Sequence, residues 1–67
     1  MPTRVINCIR QNRQAAKMTQ ENLATQVRVT RQTIIALEKG NYTPSVLLAL
    51  KLARVLNKSV EELFGYD

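Results

Sequence analysis

Apolar residues recur at intervals of three and four positions along almost the whole chain, and this spacing limits the possible folds more than any other feature. It matches the period of an amphipathic α-helix, about 3.6 residues per turn. No strict alternation of apolar and polar residues lasts long enough to indicate a β-strand. We therefore expect an all-α fold, and the length of 67 residues favours one domain, residues 1–67, around one small core.

Helix-capping residues divide the chain into five predicted helices. Thr19, Thr30 and Ser59 are typical N-caps, because a side-chain hydroxyl accepts a hydrogen bond from a free amide of the first helical turn. Ser59 and Glu62 also have the spacing of a capping box. The predicted helices cover residues 5–16, 20–26, 31–39, 45–56 and 60–64.

The same type of signal marks where helices end and where the fourth helix begins. Gly40 and Asn57 tolerate the left-handed backbone conformation that commonly follows a helix. Thr43 is expected to cap the fourth helix, and Pro44 to occupy its first helical position, where the missing amide is no loss. No repeat, linker or low-complexity stretch interrupts this pattern.

Positive charge is concentrated in residues 1–60, which contain ten Lys and Arg but only two acids. This bias favours a polyanionic partner, either nucleic acid or an anionic membrane surface. The longest apolar run, residues 46–50, is far shorter than the roughly 18 residues that span a bilayer, and residues 1–4 lack the apolar stretch of a signal peptide. We therefore expect a cytoplasmic protein. No membrane partner is expected either, because helix four mixes Lys51 and Arg54 with leucines and has no dense cationic face for a membrane surface.

The composition also argues against catalysis and cofactor binding. The chain has no His and one Cys, so it contains neither a zinc-ligand set nor a histidine acid or base. Its five acids show no arrangement typical of a catalytic pair. We expect a protein that is not an enzyme and has no metal, cofactor or small-molecule ligand, and in which Cys8 serves packing.

Residues 20–39 have the arrangement of two helices joined by a short turn. The small Ala24 permits close crossing, and Ile34 and Leu37 form the inner face of the second helix. With about 100° between successive residues, the opposite face points outward and is able to read DNA. That outer face comprises Gln32, Ala36 and Lys39, flanked by Thr33 and Ile35.

Taken together, several blocks of this sequence resemble the Cro/repressor-type (XRE-like) helix-turn-helix regulators of bacteria, archaea and phages, most of all their small stand-alone members. The resemblance covers nearly the whole chain and implies a five-helix, lambda-repressor-like DNA-binding domain with the helix-turn-helix at helices two and three. The blocks are Ile9-Arg10-x-x-Arg13, Met18-Thr19-Gln20-Glu21-x-Leu23-Ala24, Val29-Thr30-Arg31-Gln32-Thr33-Ile34, Leu37-Glu38-Lys39-Gly40, Thr43-Pro44-Ser45, Leu50-Lys51-Leu52-Ala53-x-x-Leu56 and Ser59-Val60-Glu61-Glu62-Leu63-Phe64.

The resemblance implies that the first turn of the third helix enters the major groove. There Arg31 is suited to guanine and Gln32 to adenine, each through two hydrogen bonds. Phosphate contact by Arg31, and packing of Ile35 on a neighbouring helix instead of against a thymine methyl group, are the alternatives. The predicted base-contacting or groove-contacting residues are Arg31, Gln32, Thr33, Ile35 and Ala36.

Phosphate contacts are expected around this helix, beginning with the start of the second helix at Gln20, where the resemblance implies a backbone contact. Lys17 and Arg28 stand where the family commonly has Gly, so each is expected in a left-handed conformation that costs about 1 kcal/mol. For each single cation, simple exposure to solvent is the alternative. The predicted phosphate-contacting residues are Lys17, Gln20, Arg28, Thr30, Lys39, Asn41, Tyr42 and Thr43.

Two structural expectations complete the analysis. The family pattern pairs Arg13 with Glu38, which implies an internal salt bridge between the first and third helices. The C-terminal residues 59–67 are expected at a homodimer interface that contains Leu63, Phe64 and Tyr66, because these side chains, with Leu47 and Leu48, provide more apolar surface than one small bundle buries. Closure of the monomer core by Leu63 or Phe64 is the alternative.

Together these features predict a sequence-specific regulator that binds double-stranded DNA, most simply a homodimeric repressor of an inverted-repeat operator. An antitoxin or a restriction–modification controller would use the same module. A protein-interaction module without DNA affinity is the alternative from a different class, and the basic charge argues against it.

Overall fold

The computed structural model describes residues 3–67, which form five helices and two short strands. The expected helical fold is therefore present. The expectation of an all-α chain is wrong at residues 5–7 and 64–66, which form strands. In chain order the elements are β1 (Val5–Asn7), α1 (Ile9–Ala15), α2 (Gln20–Val27), α3 (Arg31–Glu38), α4 (Val46–Leu56), α5 (Val60–Leu63) and β2 (Phe64–Tyr66).

The two strands pair with each other in an antiparallel sheet, in which Val5 lies opposite Tyr66 and Asn7 opposite Phe64. The first predicted helix therefore begins too early, and Phe64 belongs to a strand instead of the last helix. Strands of three residues are too short to show alternation, and their stability comes from a partner at the other end of the chain. Asn7 ends β1, and its side-chain oxygen accepts from the amide of Ile9, the first residue of α1, at 3.1 Å.

Local side-chain caps fix where the helices begin. Thr19 accepts from the amide of Asn22, and Thr30 and Ser59 cap α3 and α5 in the same way, as predicted. Ser59 also forms the expected capping box with the third residue of α5. The N-cap predicted for α4 lies two residues too early. The cap is Ser45, whose hydroxyl accepts a hydrogen bond from the Leu48 amide at 3.1 Å. Thr43 and Pro44 therefore lie in the preceding loop.

Between residues 3 and 67, four residues outside the helices have a left-handed backbone, and all four stand at predicted positions. Gly40 has φ +81° and Asn57 has φ +56°, after α3 and α4. Lys17 and Arg28 have φ +59° and +61°, although both carry a Cβ that makes this conformation costly. The turns before and after α2 thus keep the glycine geometry with a cation in place of glycine.

The core lies where α2, α3 and α4 meet, with α1 and α5 closing its ends. Leu63 is 1% exposed, so it completes this core and offers no surface to a second chain. This burial matches the alternative in which Leu63 closes the monomer core. The buried apolar residues are Ile9, Leu23, Ala24, Val27, Ile34, Leu37, Leu48, Leu52, Leu56 and Leu63.

None of the helices within residues 3–67 is long and apolar enough to cross a membrane.

Candidate nucleic-acid interface

The helices α2 and α3 form one rigid unit that determines which face of α3 is exposed. Ala24 is buried at the crossing, and Ile34 and Leu37 have no exposed surface. The Val29 amide donates to the Ala24 carbonyl at 3.0 Å and closes the turn that Arg28 makes with its left-handed backbone. Because the inner side of α3 is packed in the core, its opposite side faces solvent.

The predicted groove-contacting residues lie together on this outer side of α3. Arg31 and Gln32 are exposed, and Thr33, Ile35 and Ala36 are partly buried. The Thr33 hydroxyl lies 3.1 Å from the hydroxyl of Thr30. Arg31 and Gln32 therefore have the most freedom to reach an external partner.

A buried ion pair connects α1 to the end of α3. The Arg13 Nε lies 2.7 Å from one Glu38 carboxylate oxygen, and a second guanidinium nitrogen lies 3.2 Å from the other. Both side chains are at least nine-tenths buried. Arg13 also donates to the Met18 carbonyl at 2.8 Å, before α2 begins. One guanidinium thus fixes three segments relative to each other.

Gln20, at the start of α2, is tied into the same network. Its side-chain amide donates to Glu38 at 3.1 Å, so the Glu38 carboxylate accepts bonds on both oxygens. The Gln20 side chain is therefore held against the end of α3. The sequence pattern assigned Gln20 a backbone role only, and it gave no signal for this side-chain bond.

The predicted phosphate-contacting residues fall into separate groups. Lys39 shares a cleft with Gln20 and Ile35, whereas Arg28 and Tyr42 share another cleft with Lys51. Lys17 lines neither cleft and is exposed between α1 and α2. The remaining predicted residues, Thr30, Asn41 and Thr43, are exposed as well.

Two cations that the sequence analysis left out of the site lie beside predicted residues. Arg10 lines the cleft of Lys39, and Lys51 lines the cleft of Arg28. The spacing of Arg10 from Arg13 by three residues places both on one side of α1, and this was the available signal for Arg10. Lys51 had no such signal, because its position depends on how α4 packs.

The described part of the chain contains no cluster of metal-ligating side chains. No three His, Cys, Asp or Glu side chains lie close enough to hold a metal ion among residues 3–67. The Cys8 thiol donates to the Glu62 carbonyl at 3.1 Å, which places it between α1 and the last helix. The concentration of exposed cations and amides around α3 is the chemistry of a surface that binds an anionic polymer.

Comparison with known proteins identifies the family. A family model described as helix-turn-helix matches residues 9–63. A helix-turn-helix-type transcriptional regulator of Methanothermobacter thermautotrophicus is 53% identical over 60 residues, which cover 88% of this chain and 87% of the relative. One from Archaeoglobus fulgidus is 54% identical over 59 residues (88% and 84%), and one from Bacillus subtilis is 43% identical over 61 residues (91% and 92%).

Solved structures agree with this assignment. The restriction-modification controller protein C.AhdI from Aeromonas hydrophila has a TM-score of 0.75 at 31% identity, over 81% of this chain and 82% of that one. A protein from Bacteroides fragilis has a TM-score of 0.83 at 24% identity, over 91% and 98%, which shows the shared fold. The chain therefore belongs to the XRE-type helix-turn-helix family of DNA-binding transcriptional regulators and is not an enzyme.

Proposed function

We propose that this chain is one domain that forms a homodimeric repressor and binds an inverted-repeat operator, with α3 in the major groove. The observation that carries this proposal is the outer side of α3, where Arg31 and Gln32 are exposed on a helix whose inner side is locked in the core. Both side chains suit bidentate hydrogen bonds to base edges. Thr33, Ile35 and Ala36 complete the groove-contacting surface.

Phosphate contacts on both sides of α3 would hold it in the groove. Their proposed residues are cations, amides and hydroxyls at the ends of α2 and α3, all exposed except the half-buried Gln20, and such groups position a protein without reading sequence. Net charge supports this role, since ten Lys and Arg stand against five acids. The set is Lys17, Gln20, Arg28, Thr30, Lys39, Asn41, Tyr42 and Thr43.

Dimerisation is supported by apolar surface that one copy leaves exposed. Val46 and Leu47 begin α4 and Leu50 follows about one turn later, all three more than half exposed, and Tyr66 is 77% exposed in β2. The half-buried Phe64 adjoins Tyr66 in the same strand. The described chain measures 36 × 22 × 20 Å, so two copies side by side are of the right size to present α3 at half-sites roughly 34–36 Å apart. The proposed site of action is the cytoplasm.

A restriction–modification controller is the second candidate, because C.AhdI is both similar in structure and 31% identical. Such a controller would use the same DNA-binding surface. The two candidates differ in the genes they regulate, so recovery of this chain's binding site upstream of a methyltransferase or nuclease gene would favour the controller.

In vitro selection from a random duplex library at physiological salt tests the proposed function. We expect enrichment of a two-fold symmetric site with half-sites about one helical turn apart. Binding to the selected site should weaken steeply with salt, with a log–log slope of about −0.9 for each phosphate contacted. A folded protein that enriches no sequence, or whose affinity does not respond to salt, would contradict the proposal.

A further inference from the structure

A polar cleft lies between α1, the start of α2 and the second half of α3. It has a volume of about 370 Å³ and is lined by Arg10, Arg13, Gln20, Ile35, Glu38 and Lys39. Its wall therefore contains three cations and one carboxylate. Among these residues, Arg10 has no assigned function in the surface described above.

The negative charge in the cleft is already compensated. Both oxygens of Glu38 accept hydrogen bonds from Arg13, and one of them also accepts from Gln20. The ion pairs found in residues 3–67 are Arg13–Glu38 and Arg4–Asp67. Arg10 and Lys39 are exposed and lie beyond 4 Å of every carboxylate in that part of the chain. The mouth of the cleft therefore keeps a net positive charge.

The position of the cleft relates it to the DNA surface, and this step depends on the proposed function. Ile35 belongs to the outer side of α3 and also lines the cleft. If α3 lies in the major groove, the cleft must open toward one of the two strands that bound this groove, which is only about 12 Å wide. A backbone phosphate of that strand is the anion nearest to Arg10 and Lys39.

We infer that this cleft binds one phosphate group of the DNA backbone, and that Arg10 is a phosphate-contacting residue together with Lys39. Gln20 lines the same cleft, and its side-chain amide is held in place by the hydrogen bond to Glu38. The buried Arg13–Glu38 pair is the floor of the cleft and holds α1 against α3. The pair thereby keeps Arg10, on α1, at a constant distance from the recognition surface.

The test compares two variants that lose the same charge at different places. Arg10→Gln removes the cleft cation, and Lys58→Gln removes an exposed cation in the turn between α4 and α5. Binding to the selected duplex is measured over a range of salt concentrations, with the oligomeric state checked by sedimentation. We expect Arg10→Gln to reduce the magnitude of the log–log slope by about 0.9, and Lys58→Gln to leave it unchanged.

Two further variants separate charge from structure. Arg10→Lys keeps the positive charge and should retain the wild-type salt slope. The double variant Arg10→Gln with Lys39→Gln should reduce the magnitude of the log–log slope by about 1.8. Arg10→Gln alone and Lys39→Gln alone should not change which bases are preferred in a panel of sites, because phosphate contacts carry no sequence information.

The outcomes distinguish failure of this inference from failure of the proposed function. A wild-type protein that binds no duplex would overturn both. A wild-type protein that binds, together with an Arg10→Gln variant that melts normally and keeps the full slope, would overturn the phosphate site alone. Altered base preference in Arg10→Gln would also overturn it, since that result would make Arg10 a base-contacting residue.

Discussion

At the scale of single residues, Lys17 and Arg28 hold a backbone conformation that glycine adopts without strain. Arg28 has φ +61°, and for a residue with a Cβ this conformation costs about 1 kcal/mol. We expect Arg28→Gly to raise the free energy of unfolding by up to about 1 kcal/mol, measured by urea denaturation, and to weaken binding to all DNA sequences. Asn57→Gly is the matched control, because Asn tolerates φ +56°. It should change the free energy of unfolding by only a few tenths of a kcal/mol.

If Arg28→Gly both stabilised the fold and left the salt dependence of DNA binding unchanged, the arginine would have no phosphate role. A loss of stability would instead show that its side chain holds the turn by packing.

The buried pair of Arg13 and Glu38 is the other residue-scale feature with a large expected effect. Arg13→Met leaves the Glu38 carboxylate, 4% exposed, without its cation. Removal of one partner of a buried pair costs about 3–5 kcal/mol, so the free energy of unfolding measured by urea denaturation should fall by about that amount. The double variant Arg13→Met with Glu38→Leu should regain most of this loss. Equal unfolding in the two proteins would contradict the ion-pair explanation.

At the scale of elements, α3 separates residues that read bases from residues that hold the helix in place. Gln32→Ala should reduce discrimination at one base-pair position by about 1–3 kcal/mol, whereas Lys39→Ala should weaken binding to all sequences alike and reduce the salt slope by about 0.9. Affinities measured across a panel of single-base variants of the selected site test this division. Identical profiles for the two variants would show that the outer side of α3 does not read sequence.

The short helix α5 depends on its capping box, and this dependence makes its stability sensitive to acid. Hydrogen bonds from the Ser59 backbone amide and then from its hydroxyl hold the pKa of Glu62 below its usual value of 4.5. A carboxyl with a lowered folded-state pKa stabilises the fold above its unfolded pKa, and this stabilisation disappears as pH falls through the folded value. Glu62→Gln should therefore flatten the stability profile below about pH 4.5. Its matched control is Glu61→Gln, since Glu61 takes no part in the capping box.

At the scale of the whole molecule, Val46, Leu47 and Leu50 form an exposed apolar strip on α4, which a second copy of the chain would remove from water. Leu47 is 62% exposed, so Leu47→Lys should keep the fold while placing a charge in the proposed dimer interface. We expect sedimentation to show a shift from dimer to monomer and operator affinity to fall by at least tenfold, because one half-site contact is lost. A wild-type protein that sediments as a monomer while binding both half-sites would contradict dimerisation through this strip.

Local sequence signals predicted the helices because their causes are local. A side-chain hydroxyl caps a helix by a hydrogen bond to an amide only a few residues ahead, and Thr19, Thr30 and Ser59 all do so. The left-handed turns at Lys17 and Arg28 were predicted from the family resemblance, because the family commonly has Gly at both positions, and both residues have a positive φ. The outer side of α3 followed from helical periodicity as soon as Ile34 and Leu37 were placed in the core.

The sequence by itself therefore determined that residues 3–67 contain five helices, the caps at Thr19, Thr30 and Ser59, and the exposed face of α3. Only the tertiary structure decided which distant residues meet. It paired β1 with β2 across the length of the chain, buried Leu63 in the core and placed Arg10 beside Lys39. These contacts depend on chain segments that are far apart in sequence, and no local pattern records which of them will lie together after the core has packed.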